Sequence, residues 1–192
     1  MFQRMLLPKK TAALIAALLF CMKIISLAAA EEPPAITVTS ESITPEGRLI
    51  TATAANRSPN KPRGQNLSPQ LTFDPVEGAS LYAVYMFDMD ANWLHFAVTD
   101  VTETCLSLGL YSDKKQYVGP YPPKGKDHHY RIEVFALQAV PDKPAGKMNA
   151  SNNYQKITDS LDISGGQPGN ILRRGEIIGL YRNGDNTVAA EE

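Results

Sequence analysis

Little cysteine, no long apolar run and no surplus of basic charge mark this sequence, and each absence closes a route. The 192 residues include two cysteines, Cys21 and Cys105. Cys21 falls in an N-terminal segment expected to be removed, which leaves one thiol and no intrachain disulfide even in an oxidising compartment. Cys105 is then expected to pack as a small buried apolar residue. The apolar stretch from Thr11 to Met22 is stopped by Lys23, well short of the roughly 20 residues that a membrane span requires. No G-x-S-x-G elbow and no HxxxH spacing occur, so neither a serine hydrolase nor a helical zinc site is signalled. Internal repeats and low-complexity tracts are absent as well.

What the N-terminus does contain is ordered like an export signal. Arg4, Lys9 and Lys10 precede the short apolar run, and Ala28-Ala29-Ala30 follows it. Residues 1–30 are therefore expected to be a signal peptide cleaved after Ala30, giving a periplasmic or secreted chain with no stable membrane insertion. Glu31 to Pro34 reads as a short linker, and residues 31–192 as a single domain. Four of the 19 basic side chains (Arg4, Lys9, Lys10 and Lys23) leave with the signal. The remaining 15 face 20 acidic ones, a net charge of −5. Such a surface repels nucleic acid, and no basic cluster overrides it.

The hydrophobic fraction of 43% suits a globular domain. Ile36 to Ser40 alternates apolar and polar residues, the pattern of a half-exposed strand. Leu81 to Phe87, Phe96 to Val101 and Tyr130 to Leu137 are apolar runs suited to buried strands. Between them, Asn56 to Gly64 is rich in turn formers and reads as a loop. Short strands punctuated by Gly, Pro and Asn predict a mainly β, antiparallel sandwich or barrel. Helix is expected only late: Tyr154, Ile157 and Leu161 share one helical face, with Ser151 as N-cap. Asn170 is expected to cap a short turn through Arg174, and a strand pattern resumes from Glu176 to Tyr181.

All three histidines fall in two unusual segments. Asp88-Met89-Asp90-Ala91-Asn92-Trp93-Leu94-His95 clusters two carboxylates, an indole and an imidazole between two strands. The segment from Gly119 to Tyr130 stiffens a loop with three prolines and delivers His128 at the start of a strand. An Asp88 or Asp90 carboxylate beside His95 or His128 would hold the ring charged, so that the imidazolium and the Tyr130 hydroxyl donate to an anion. Plainer readings stand beside this one. Aspartates commonly cap their own turns, and a histidine can be a satisfied core residue. On strand alternation, His129 faces away from His128.

Gly64-x-Asn66-x-Ser68-Pro69-x-Leu71, Asp88-x-Asp90, Trp93-x-His95, and Gly119-Pro120-x-Pro122-Pro123-x-Gly125 with His128-x-Tyr130 occur in that order. Together they resemble the motifs of the phosphatidylethanolamine-binding protein family, most of all its bacterial Raf-kinase-inhibitor-like branch. The resemblance spans about Ile36 to Tyr181. It implies a Greek-key antiparallel β-sandwich with short peripheral C-terminal helices. It also implies a small pocket for an anion or a phosphorylated head group, lined by Asp88, Asp90, Trp93, His95, Gly119, His128 and Tyr130. No cofactor, no metal and no catalytic residue are implied. Binding without catalysis is thus the expectation. An interaction regulator that inhibits a kinase or serine protease through a protein partner is the alternative, and a phosphoester hydrolase a third. Four positions depart from the pattern: Met89 and Asn92 stand where prolines are common, Tyr121 replaces a small residue at the pocket mouth, and His129 replaces an arginine.

Overall fold

A computed structural model describes residues 35–184; the expected leader, its cleavage point and the linker to Pro34 lie outside the described residues. Seven strands form two antiparallel sheets. In chain order they are β1 (Val38–Thr39), β2 (Leu71–Phe73), β3 (Leu81–Asp88), β4 (Trp93–Val101), β5 (Cys105–Leu106), β6 (Asp127–Leu137) and β7 (Ile171–Arg182). The small sheet has the order β1-β2-β5 and the large one β4-β3-β6-β7. A 3-10 turn at Thr51–Thr53 and one helix, α1 (Tyr154–Leu161), complete the described elements. No helix among the described residues is long and apolar enough to cross a membrane.

Strand alternation sorts the large sheet into two apolar faces. Tyr82, Val84 and Met86 of β3, with Ile132 and Val134 of β6, meet Val38, Leu71, Phe73 and Leu106 of the small sheet in one core. The opposite parity (Leu81, Ala83, Tyr85 and Phe87, with Phe135 and Leu137) packs against Ile157 and Leu161 of α1 in a second. Because β3 and β6 are covered on both sides, they read as continuous apolar runs.

Several local expectations need correction. Asn153, not Ser151, caps α1, its side chain accepting from the Lys156 N–H; Ser151 instead bridges to Trp93. Asn170 starts no turn. Its amide is buried between Ala139 and Leu161, donating to both carbonyls and accepting from Ala139 N–H, and β7 begins at once, at Ile171. Cys105 is exposed rather than buried, because alternation on a two-residue strand turns Leu106 inward and its neighbour out. One described helix stands where several short ones were expected.

Candidate functional site

At one end of the large sheet, β3, β4 and β6 open onto a hollow of about 180 Å³. Asp88 closes β3 on the parity of Tyr82, Val84 and Met86, so its carboxylate continues the inner face beyond the apolar core. Asp88 Oδ1 accepts from the N–H groups of Asp90 and Ala91 at 2.9 and 3.1 Å. These bonds shape the turn into β4, an arrangement short acidic side chains favour. Its other oxygen meets His128 Nδ1 at 2.6 Å. The two segments that carry the histidines, 40 residues apart at this pair, thus converge.

A bulge delivers the second imidazole. Across β3 and β4, Phe87 faces Leu94 and Met86 faces Phe96, which leaves His95 as the extra residue. Leu94 accordingly joins the α1-side core and Phe96 the inner core, although residues two apart on a regular strand share a face. The freed His95 ring packs edge-on against Tyr130, centroids 5.2 Å apart, and donates from Nδ1 to the Val118 carbonyl at 2.7 Å. A carbonyl only accepts, so the proton sits on Nδ1 and the neutral ring offers the Nε2 lone pair. Burial holds this imidazole below the ordinary histidine range, outweighing the Val118 bond and the Asp88 charge, which favour the cation. The expectation that a carboxylate keeps His95 charged is reversed, since desolvation is the larger effect.

Of the seven residues named from sequence, Asp88, Trp93, His95, Gly119 and His128 line the hollow. Asp90 and Tyr130 do not. Asp90 turns outward, where Oδ2 accepts from the His129 N–H at 2.7 Å and lies 3.1 Å from that ring's Nδ1. The ordinary turn-fastening role describes it. Tyr130 lies fully buried behind His95, its hydroxyl outside standard hydrogen-bonding geometry among the described residues. Burial, then the Asp88 charge, raises its pKa so far that the phenol stays protonated. Gly119 has a packing reason for being glycine: a Cβ there would overlap the Thr53 carbonyl and the Ala54 backbone. Its N–H donates to Asn66 Oδ1 at 2.8 Å.

Arg57 and Asn149 also line the hollow, and neither lies in a motif. Arg57 stacks its guanidinium 4.4 Å above the centre of the Tyr121 ring, a cation–π contact at the mouth. Asn149 Oδ1 accepts from Trp93 Nε1 at 3.3 Å, within a segment whose 149, 150 and 152 backbone groups bond to Asn92 and Leu94. The departures at Met89 and Asn92 fit their places. Met89 donates its N–H to the His129 carbonyl at 2.9 Å, which a proline cannot do. Asn92 adopts φ 50°, closed to proline and tolerated by asparagine. Asp88, Asp90 and His128 also bring one ligand atom each within 4.8 Å of one another, and Asp88 and Asp90 also bond His128 and His129 respectively.

Comparison with known proteins agrees with this architecture. The family model described as "Phosphatidylethanolamine-binding protein" matches residues 39–181. A crystal structure of Escherichia coli YbcL, described as a new member of the mammalian PEBP family, is 26% identical with a TM-score of 0.57, covering 78% of this chain and 99% of that one. Chlamydia trachomatis CT736, whose structure is described as that of a phosphatidylethanolamine-binding protein homologue, shares the fold at 19% identity and a TM-score of 0.57, covering 78% of this chain and 98% of its own. No curated protein matches by sequence.

Proposed function

Because the chain belongs to the phosphatidylethanolamine-binding protein family, we propose that it binds, without turning over, a small oxyanion that carries one proton, of the phosphate or phosphomonoester kind, after export across the inner membrane. One observation carries this reading: the two imidazoles around the hollow are tethered through Nδ1 to partners of opposite kind. His95 gives its Nδ1 proton to a carbonyl and, being neutral, offers an acceptor at Nε2. His128 faces a carboxylate through Nδ1, so an anion arriving at Nε2 selects the doubly protonated ring, balanced by Asp88. A monoprotonated phosphate matches both, its P–OH donating to His95 and its P–O⁻ accepting from His128.

The same bonds support binding without turnover. Asp88 has both oxygens engaged, one by two N–H groups and one by His128, so it is not a free base or nucleophile. Export rests on the order of charges, apolar run and alanines in residues 1–30.

Sulfate separates this from generic anion attraction, because at neutral pH it carries no proton to give His95. Titration calorimetry at pH 7 is expected to show phosphate bound at least about tenfold more tightly than sulfate, the lost donor leaving a buried acceptor unpaired. His128→Ala should abolish phosphate binding while the fold persists. Equal affinity for the two anions would overturn the proposal.

A further inference from the structure

The hollow is not closed on the side of Arg57. A second cavity, of about 280 Å³, adjoins it and shares Arg57, Val118 and Asn149 as a common wall. Asn56, Asn66 and Lys114 line the second cavity but not the first. The chemistry changes across that wall. The first hollow holds a carboxylate and two imidazoles; in the second the charged groups are Arg57 and Lys114, and no acidic residue lines it. Neither cation takes part in an ion pair among the described residues. The aspartate next to Lys114 does not line the second cavity, and Asp113 Oδ1 accepts from the Lys115 N–H at 2.8 Å. The shared Asn149 is oriented as well, since its oxygen receives the Trp93 indole N–H and its NH₂ remains to donate.

We propose that this second compartment receives a second acidic group of the same ligand, so that the natural ligand is a phosphomonoester bearing a carboxylate or another phosphate close to the first. The inference rests on the reading of the first hollow as a site for a protonated phosphate group. Arg57, lining both spaces, bridges the two anionic groups, and Lys114 neutralises the outer one. The need for a P–OH at His95 selects a monoester over a diester. That distinguishes a free phosphorylated metabolite from an intact lipid head group of the same composition.

Four probes test this: inorganic phosphate, O-phosphoethanolamine, O-phosphoserine, which differs from it by one carboxylate, and glycerophosphoserine, the diester counterpart. O-phosphoserine is expected to bind about fivefold more tightly than O-phosphoethanolamine at low ionic strength, and less so at high, because both cations are exposed. Lys114→Gln should erase that preference and leave O-phosphoethanolamine affinity unchanged, and glycerophosphoserine should bind more weakly than O-phosphoserine. Equal binding of the two amino monoesters, a preference that survives Lys114→Gln, or a diester that binds as well as the monoester overturns the inference. If neither phosphate nor any monoester binds, the first hollow has been misread and this inference falls with it.

Discussion

His95 is the residue whose chemistry the fold alters most. Its conjugate acid is disfavoured by burial, so the unfolded chain, with an ordinary histidine near pH ~6.5, takes up a proton before the folded one does. The associated stability is fully present above about pH 6.5 and is lost as pH falls from there toward the lower folded-state value. Thermal melts are expected to show Tm dropping across that window, with His95→Gln flattening the dependence whatever it does to Tm itself; a slope unchanged in the variant contradicts the assignment. In the sequence, the pairing of Asp88 with His128 was visible only through motif resemblance, because no local pattern reports a contact 40 residues apart. The charge state of His95 was not legible, since it depends on how deeply a bulge buries the ring. Arg57 gave no signal at all. It is one cation in a turn-rich loop, and its place is fixed by neighbours that become neighbours only on folding.

Those neighbours act at the scale of elements. The loop around Arg57 is tied to the end of β7 by a buried polar cluster. Ser58 Oγ lies 3.0 Å from the Tyr181 hydroxyl and donates to Asn183 Oδ1 at 2.9 Å. Asn60 Nδ2 donates to the Tyr181 hydroxyl and the Arg182 carbonyl, both at 3.0 Å. Asn183 in turn donates to the Pro122 carbonyl, so one cluster anchors both the Arg57 loop and the proline loop. Asn60→Ala leaves buried partners unsatisfied and is expected to cost about 1–3 kcal/mol by chemical denaturation. It should also weaken O-phosphoserine binding more than phosphate binding, because Arg57 loses its seat. Unchanged stability would show that the cluster is not structural. Apolar runs and helical spacing foretold β3, β4, β6 and α1. The two-residue β1 was read because it sits in the alternating stretch Ile36 to Ser40, whereas β5 and β2 carry too little period to be read, and they form because partner strands are already in place.

For the molecule as a whole, two sheets and a helix stack so that polar groups from five separate segments meet at one end of the large sheet. A mainly β, antiparallel fold followed from pattern and the choice of a sandwich from the family resemblance, while the site is a product of register. An expected net charge of −5 for residues 31–192 disfavours anions in general, so capture must come from local geometry rather than from the protein's overall field. The central claim concerns where two protons sit, and nitrogen-detected NMR of the imidazole rings reads it directly. At pH 7 without ligand, His95 is expected as the neutral Nδ1–H tautomer. Saturating phosphate should leave it so, with His128 presenting an Nε2–H to the anion. A charged or Nε2–H His95, or a His128 ring indifferent to phosphate, would contradict the account.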